Sequence, residues 1–238
     1  MSIDGIDLWQ FSIDGGPEAV DAALALLCPI ERNRFREFGT AQLAGAFAIR
    51  RAARRIILAR YLGIDPKDVR ISDARFGKPE LHGPMAGLHF NASHSKGRGI
   101  LAVTRRFPVG ADVERLRPID TIALAGRVLS PSERTEFDEA ETEDREAGIF
   151  RIWTAKEALV KGTGIGLNLS DFPLISLPIA SAPAVWRSVQ FSGRMQIQKR
   201  WYVYSLASSA DYYVSLAAPE EAVVTVIDAR GVLAGKGI

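Results

Sequence analysis

The chain has 238 residues, 47% of them hydrophobic and 24% charged, which is the composition of an ordinary globular protein and not of a disordered or fibrous one. This length suits one large domain or two modest ones, since a domain usually takes about 100–200 residues. The 30 Lys and Arg residues against 28 Asp and Glu residues give a net charge of +2, which only weakly indicates anionic partners. Cys28 is the single cysteine, so an intrachain disulfide and a cysteine-rich metal site are excluded.

The first residues, MSIDGIDLWQFSIDGG, place two acids before any apolar run and lack the basic start of a signal peptide. No segment approaches the ~20 apolar residues that a membrane span requires. A single cysteine fits a reducing compartment. We therefore expect a cytoplasmic protein without a membrane partner.

The first half of the chain predicts a strand, three helices, an extended piece and a pair of strands. Their predicted bounds are Leu8–Ile13, Pro17–Leu27, Glu31–Gly39, Gln42–Leu62, Val69–Asp73, His89–Asn91 and Gly99–Thr104. The third helix ends at Gly63, as helices often end at glycine. A stretch broken by glycine and proline, ARFGKPELHGPMAG, separates the extended piece from the strand pair.

The second half begins where Pro108 and Gly110 turn the chain. It predicts a strand, three helices and four further strands, at Ala111–Glu114, Thr121–Arg127, Pro131–Ala140, Asp144–Lys161, Trp186–Phe191, Met195–Ser205, Tyr212–Ala217 and Ala222–Val226. Ser130 is a typical N-cap with proline behind it, and Gly162 is expected to end the long helix. The sequence thus predicts an α+β fold of two lobes, 1–109 and 110–238, each with helices packed on a small antiparallel sheet.

Two acids stand at alternate positions of one predicted strand, Asp112 and Glu114. Side chains at i and i+2 leave the same face about 6–7 Å apart. Two like charges at that distance repel by roughly 2–3 kcal/mol at an effective dielectric of 20, and a Mg²⁺ ion would turn the repulsion into attraction. By itself the pattern equally fits a solvated strand edge.

The long helix of the second half carries a charge on its apolar face. At 100° per residue, Glu157 shares one face with Phe150, Trp153, Val160 and Lys161. A charge on an aromatic face is unfavourable unless it is paired or ligates metal. A simple Glu157–Lys161 pair at i, i+4 explains the spacing but not the choice of face.

Polar and basic residues of the first half could bind phosphate. His94 follows a predicted strand in the donor-rich segment FNASHS, and Lys78 precedes Pro79 in a rigid turn. An ordinary polar turn remains an equal alternative for the first of these. One helix also has four arginines clustered between positions 50 and 55. Of these, Arg50 lines up with apolar residues, whereas Arg51 and Arg55 turn to a more polar side and are expected to be solvated.

Five ordered segments together resemble the phosphopantetheinyl transferases of the larger, surfactin-synthetase-activating type. They are FGKPEL, FNASHS, VGADVE, LSPSER and WTAKEALVKGTGIGL, and they span 76–167. The resemblance implies a pseudo-dimer of two α+β lobes with coenzyme A in the cleft between them, the N-terminal lobe contacting its phosphates and adenine. The C-terminal lobe would hold the metal and the catalytic helix.

Carried over by position, the resemblance implies that Asp112, Glu114 and Glu157 bind the metal ion. Lys161 matches the lysine that contacts the phosphates and the transferring group, and Glu133 matches a glutamate proposed to help deprotonate the acceptor serine. Coenzyme A itself would be a substrate, with Mg²⁺ as the cofactor.

Further positions match contacts to coenzyme A. Ser93 and His94 match phosphate contacts, and Lys78 with Pro79 matches the wall against adenine and phosphate. Lys156 matches a recurring lysine, which we group with these contacts without a fixed role.

The chain departs from the family pattern at two places. Where the family often has paired lysines for the phosphates of coenzyme A, this chain has Arg34 at one position and Glu31 at the other. Where a phosphate-binding arginine usually falls, this chain has Ala46, and Arg50 one turn later points nearly the same way. We therefore expect Arg34 and Arg50 among the contacts to coenzyme A.

The resemblance implies that a serine of an apo acyl- or peptidyl-carrier protein receives phosphopantetheine and 3′,5′-ADP leaves. Either Glu157 or Glu133 would accept the serine proton. The carrier could belong to fatty-acid, polyketide or nonribosomal-peptide synthesis, and we expect a monomer that binds no nucleic acid. Two alternatives remain open at this point. One is a Mg²⁺-dependent phosphohydrolase or nucleotidyl transferase built on the same acids, and the other is an RNA-binding module that uses the arginine-rich helix.

Overall fold

The computed structural model describes residues 3–73, 77–166, 168–178, 183–192, 197, 200–206 and 211–233. Helices and strands both contribute, so the predicted α+β class is confirmed. The α-helices are α1 (Pro17–Leu26), α2 (Pro29–Arg36), α3 (Ala41–Leu62), α4 (Thr121–Val128), α5 (Pro131–Glu139) and α6 (Thr142–Thr163). Short 3-10 helices lie at Pro66–Asp68, Gly83–Met85 and Leu169–Leu174. Within the part of the chain that is described, no helix is long and apolar enough to cross a membrane.

The strands belong to two four-stranded sheets and two short ribbons. They are β1 (Ile6–Ser12), β2 (Ile71–Asp73), β3 (Pro79–Leu81), β4 (His89–Ser95), β5 (Arg98–Thr104), β6 (Gly110–Arg115), β7 (Ile175–Ser176), β8 (Trp186–Ser188), β9 (Gln190–Phe191), β10 (Tyr202–Ser205), β11 (Tyr212–Ala218) and β12 (Val224–Asp228). The strand predicted at Met195–Ser205 is observed only as β10, and residues 195, 196, 198 and 199 lie outside the described residues.

The first sheet has the strand order β12-β1-β5-β4. Strand β12 corrects the prediction of a purely antiparallel sheet. Strands β1, β5 and β4 pair antiparallel, but β12 pairs parallel to β1, with Ile6 opposite Val224. A sheet that is antiparallel throughout was expected. A parallel neighbour needs a long connection, and residues 13–223, which lie between β1 and β12 in the sequence, provide it.

The second sheet has the order β6-β11-β10-β8 and is antiparallel throughout. Helix α6 packs on β6 and β11. Its apolar side buries Ile149, Phe150 and Leu159 in a core with Phe172 and Trp201. The first sheet has a separate core built around Trp9, Phe47, Leu58 and Leu101, among others.

Contacts divide the described residues into two compact units. Unit 1 comprises Met1–Ala74, Pro79–Arg106 and Val223–Ile238, and unit 2 comprises Arg75–Lys78 and Phe107–Ala222. The predicted division at 109/110 assigns the C-terminal residues to the second lobe, whereas the contacts assign them to unit 1. The reason is the pairing of β12 with β1, which buries Ala229 and Val232 in the core of unit 1.

The long helix α6 continues beyond its predicted end. Gly162 is helical, and the helix ends at Thr163, where the next residue, Gly164, has φ +62°. Only glycine adopts this left-handed conformation at little cost, and its N–H closes the helix by donating to the Val160 carbonyl. At the start of α5, Ser130 and Glu133 form the capping box that the sequence LSPSER indicates.

Glu31 of α2 lies buried under the arginine-rich helix α3. Its carboxylate accepts hydrogen bonds from Arg55 Nε at 3.1 Å and Nη2 at 2.8 Å, and from Arg54 Nη2 at 3.3 Å. Arg55 Nη1 also donates to the Val69 carbonyl at 2.7 Å. The expectation that Arg55 is solvated is therefore wrong, because Glu31 supplies an interior counter-ion. Arg51 is half-buried, 4.0 Å from the same carboxylate.

Opposing effects set the pKa of Glu31. Burial raises it, but the charge and hydrogen bond of Arg55 lower it, helped by the Cys28 amide and the charge of Arg54. The pKa lies below its usual value of 4.5 as a result. The pair therefore stabilises the fold above that value, and the contribution is lost as the pH falls through the lowered folded pKa.

We expect Glu31→Gln to lower the free energy of unfolding at pH 7 by about 3–5 kcal/mol, because it leaves two buried guanidinium groups without their counter-ion. The variant should also lose part of the fall in stability that the wild type shows below pH ~4.5. Urea unfolding at several pH values measures both effects. Glu37→Gln is the matched control, since its pair with Arg34 is exposed. Equal losses in the two variants would contradict this account.

Candidate active site

Strand β6 carries the two alternate acids, Asp112 and Glu114. Asp112 is buried and lies opposite Ser215 of β11, while the half-buried Glu114 lies opposite Tyr213. Both side chains leave the same face of the strand because they are two residues apart. The predicted common face is therefore present.

A backbone contact brings α6 against the start of β6. A Cβ atom added at Gly110 would lie 1.9 Å from the Ala158 carbonyl oxygen and 2.4 Å from the Gly162 amide nitrogen. A side chain at Gly162 would in turn strike the Trp201 ring at 2.8 Å. The strand and the helix can approach this closely only because both positions are glycine. The approach places Glu157 and Lys161 over the acids of β6.

Lys161 and Asp112 form a direct ion pair across this contact. Lys161 Nζ lies 2.6 Å from Asp112 Oδ1, although 49 residues separate the two in sequence. The lysine side chain keeps 31% of its surface exposed, whereas that of the aspartate keeps 4%. The carboxylate of the pair is thus buried, whereas solvent and ligands can reach its ammonium group.

The surroundings of Glu157 raise the pKa of its carboxyl group. Burial is the largest cause, and the negative charge of Asp112 raises it further, with a smaller effect from Glu114. Lys161 and a hydrogen bond from Trp153 act in the opposite direction. The three predicted carboxylates therefore influence one another electrostatically.

A second cation, which the sequence analysis did not identify, lies on the other acid of β6. Arg117 Nη1 is 2.7 Å from Glu114 Oε2. Its guanidinium also lies over the rings of Trp153, at 5.4 Å, and Phe150, at 5.8 Å. The sequence did contain a signal for this pair, because Arg117 lies three positions after Glu114 and is followed by Pro118.

The three carboxylates do not form a preassembled metal cage. Among the described residues, no group of three or more His, Cys, Asp or Glu side chains is arranged to hold a metal ion. The convergence of Asp112, Glu114 and Glu157 on one ion therefore stays a prediction, although Asp112 and Glu114 are near enough to act on the pKa of Glu157. In the described arrangement, Lys161 lies on Asp112 Oδ1 and Arg117 lies on Glu114 Oε2.

Glu133 and Lys156 form a second, sealed ion pair. Both side chains are 0% exposed, and Lys156 Nζ lies 2.5 Å from Glu133 Oε2. The Glu133 carboxylate also accepts from the Ser130 and Leu177 amides, each at 2.7 Å. The Lys156 ammonium completes its three bonds with the carbonyl oxygens of Val128 and Phe172.

These contacts correct two expected roles. Glu133 has both carboxylate oxygens engaged and no exposed surface, so it is not in a position to receive a proton from a bound substrate. Lys156 has no free donor for coenzyme A, because all three of its N–H groups are used. Burial lowers the pKa of Lys156, and the charge and hydrogen bond of Glu133 oppose that shift.

The segment FNASHS lies entirely within β4, whereas the strand was predicted to end at Asn91, before His94. Ser93 and His94 both lie within β4, where neighbouring side chains point to opposite faces of the sheet. His94 is exposed and Ser93 half-buried. They therefore do not form one phosphate cradle from a single face.

The remaining predicted contacts are dispersed over the two units. Lys78 Nζ donates to the carbonyl of Gly162 at 2.9 Å, next to Lys161 in the chain. Arg34 is exposed and pairs with Glu37. Pro79 begins β3 in unit 1.

Arg50 lies half-buried on α3 with its guanidinium 5.2 Å from the centre of the Phe47 ring. Burial, and then the charge of Arg51, lower the pKa of Arg50 to about 10. The side chain is therefore still a cation at neutral pH. Arg54, also on α3, has a buried Nε without a hydrogen-bond partner among the described residues.

The sequence that forms this α+β fold and its charged β6–α6 face matches a known class of proteins. Residues 108–217 match the model of the 4′-phosphopantetheinyl transferase superfamily. The matched segment contains β6, α6 and every charged residue of the site in unit 2 apart from Lys78.

Individual relatives agree. The chain is 34% identical over 183 residues to the 4′-phosphopantetheinyl transferase HetI of a Nostoc species, covering 75% of this chain and 77% of HetI. It is 30% identical over 154 residues to a 4′-phosphopantetheinyl transferase of Bacillus subtilis, covering 65% of that relative. It is 27% identical over 146 residues to the transferase Sfp of Bacillus subtilis strain 168, covering 64% of it. The chain therefore belongs to the 4′-phosphopantetheinyl transferase superfamily and is a transferase enzyme.

We expect Lys156→Met to destabilise the protein by about 3–5 kcal/mol, because it leaves the Glu133 carboxylate charged and buried. Adding Glu133→Gln should recover part of the loss, since the uncompensated charge is then absent. Chemical unfolding measures both. Asp138→Asn is the control, because it removes an exposed pair with Arg134 that is worth no more than about 1 kcal/mol.

A different result would restore the expected role of Lys156. If Lys156→Met were as stable as the wild type while its KM for coenzyme A rose, the lysine would contact the substrate and not the interior.

Proposed function

We propose that this enzyme transfers phosphopantetheine from coenzyme A to a serine hydroxyl of an apo carrier protein. The observation that carries the proposal is the accessible face of β6 and α6, where Asp112, Glu114 and Glu157 meet Lys161, in a chain of this superfamily. The serine oxygen forms a bond to the phosphorus that carries pantetheine, and the P–O bond to 3′,5′-ADP breaks. The same acids in a phosphohydrolase or nucleotidyl transferase, or an RNA-binding role for α3, would leave the family membership unexplained.

The donor set of this face fits Mg²⁺. Asp112, Glu114 and Glu157 offer only carboxylate oxygens, the ligand type that this ion prefers, and they lack histidine or cysteine competitors. Burial is the main reason that the pKa of Glu157 is raised, and the negative charges of Asp112 and Glu114 add to it; a bound cation would relieve this second part. When bound, Mg²⁺ would neutralise charge on the pyrophosphate and on the departing 3′,5′-ADP.

The residues of the chain supply the remaining steps. Lys161 keeps an exposed ammonium beside the acids and would hold the phosphoryl group that is attacked. Glu157 would accept the serine proton, directly or through water, because it is the half-buried carboxylate of α6 that lies with Lys161 beside the acids of β6. We prefer it to Glu133, whose sealed ion pair with Lys156 instead fixes α6 to the cap of α5.

Coenzyme A would be bound partly by unit 1. Arg50 is a half-buried cation supported by Phe47 and is our candidate for the 3′-phosphate. Arg34, His94 and Ser93 remain candidates for other phosphate oxygens, and Lys78 with Pro79 for the adenine side.

We also propose that the two units are the lobes of a pseudo-dimer. Each unit has one four-stranded sheet and one helix of 22 residues, α3 or α6. Both helices end at a glycine in the left-handed conformation. In this proposal unit 1 contributes contacts to coenzyme A, and unit 2 the metal and catalytic residues. The partner would be an acyl- or peptidyl-carrier protein, met by a monomeric enzyme in the cytoplasm.

We expect the purified enzyme, mixed with coenzyme A and Mg²⁺, to add the mass of one phosphopantetheine to at least one apo carrier from fatty-acid, polyketide or nonribosomal-peptide synthesis. Mass spectrometry of the carrier measures this, and EDTA should stop the reaction. Asp112→Ala should abolish turnover while the fold is retained, because the Lys161 ammonium that loses its partner is partly exposed and can be hydrated, and the repulsion between Asp112 and Glu157 is removed. Asp211→Ala, an exposed aspartate of the same unit, should leave turnover unchanged. The proposal fails if no carrier of the three types is modified.

We expect Arg50→Ala to raise KM for coenzyme A about ten- to a hundredfold, since a lost charge-assisted hydrogen bond is worth roughly 1.5–3 kcal/mol. Dephospho-coenzyme A, which lacks the 3′-phosphate, should bind the wild type and the variant almost equally. Steady-state kinetics with both substrates tests this, with Arg70→Ala as an exposed control in unit 1. Equal increases for both substrates would show that Arg50 does not read the 3′-phosphate.

A further inference from the structure

Among the described residues, Arg117 is a cation on the acids of β6 that the proposed reaction does not use. It follows β6 by two residues, and its Nη1 donates to Glu114 Oε2 at 2.7 Å and to the Arg115 carbonyl oxygen at 3.2 Å. The side chain is 37% exposed, against 19% for that of Glu114. The ion pair is thus open to solvent on one side and backed by protein on the other.

Aromatic rings hold the Arg117 guanidinium in this place. The cation lies over Trp153 and Phe150 of α6. Phe150 is fully buried and stacks on Tyr213, the residue that lies opposite Glu114 in the sheet. A planar cation over aromatic faces is attracted to them whether or not a carboxylate is present. Arg117 therefore has a resting place that does not depend on Glu114.

The same rings reach the third carboxylate. Trp153 donates a hydrogen bond to Glu157, so its indole contacts both Arg117 and a predicted metal ligand. Any movement of charge at Glu114 or Glu157 therefore changes the surroundings of one tryptophan.

The charges of the face count as three carboxylates against two cations. Lys161 neutralises Asp112, and Arg117 neutralises Glu114. A Mg²⁺ ion brings two positive charges to the same carboxylates, and it needs oxygens that these cations now occupy. The lysine has a proposed role on the phosphates, whereas the arginine has none.

We propose that Arg117 is a built-in counter-ion that takes the place of Mg²⁺ on Glu114 and leaves that carboxylate when the ion binds. Arg117 is then a positioning residue, which acts through Glu114 and weakens metal binding in return for a stable metal-free face. This inference rests on the proposed metal site. The opposite role, in which Arg117 orients Glu114 toward the ion, predicts the opposite sign in the experiment.

The test uses Mg²⁺ alone, titrated into the full chain without coenzyme A or carrier, at constant ionic strength. Tryptophan fluorescence follows binding, and Trp153→Phe identifies the part of the signal that comes from Trp153. We expect Arg117→Gln to bind Mg²⁺ about two- to fivefold more tightly than the wild type, because a partly exposed ion pair is worth up to about 1 kcal/mol. Arg117→Lys keeps the charge and should remain close to the wild type. Arg127→Gln, an exposed arginine of α4 in the same unit, makes the same change in net charge and should have no effect.

Thermal unfolding supplies an independent readout that closes the thermodynamic cycle. Without metal, Arg117→Gln should be less stable than the wild type, because Glu114 has lost the charge and the hydrogen bond of Arg117. At saturating Mg²⁺ the difference should vanish, because the ion pair is then broken in the wild type as well. The free energy of unfolding that the variant loses without metal must equal the free energy by which it binds Mg²⁺ more tightly than the wild type.

The possible results separate this inference from the proposed function. No response of the wild type to Mg²⁺ would contradict the metal site itself. A wild-type response with unchanged or weaker binding in Arg117→Gln would overturn only the role of Arg117. A loss of stability that persists at saturating Mg²⁺ would show that Arg117 supports the fold and does not exchange with the ion.

Discussion

The backbone contact between Gly110 and the last turns of α6 is the constraint on which the candidate site depends. A side chain at either Gly110 or Gly162 would collide with backbone or with Trp201, so the strand and the helix approach as closely as two backbones can. This approach places Lys161 within 2.6 Å of Asp112. Because the contact involves main-chain atoms, it fixes the distance between the strand acids and the helix without using any of the charged groups themselves.

Unit 2 separates its charges into two clusters with different access to solvent. Lys156 and Glu157 are adjacent in sequence, but a helix turns 100° between them, and they face different surroundings. Lys156 meets Glu133 in the interior, where every donor and acceptor is satisfied. Glu157 faces Asp112 and Glu114, where negative charge is in excess and Lys161 and Arg117 offset only part of it. The sealed cluster holds the helix in place, and the open one is available for chemistry.

Unit 1 also contains a buried carboxylate that pairs with basic side chains of a long helix. Glu31 pairs with both Arg54 and Arg55 inside the fold, whereas Arg50, Arg51 and Arg60 are the partly exposed arginines of α3. The departure from the family pattern at Glu31 therefore has a structural explanation, because this carboxylate serves as an interior counter-ion. A change of charge at one position thereby redistributes which arginines of the neighbouring helix can meet an anion.

The sequence by itself determined the α+β class, the helices from their caps and periodicity, the common face of Asp112 and Glu114, and the family resemblance. These follow from local rules, since spacing fixes direction within a strand or helix. Tertiary structure alone decided the parallel pairing of β12, the burial of Arg55, the sealed Glu133–Lys156 pair and the cation–π contacts of Arg117. Each of these joins residues distant in the chain or depends on which face is covered, and the burial that turns a surface charge into an interior ion pair is a property of the packed fold.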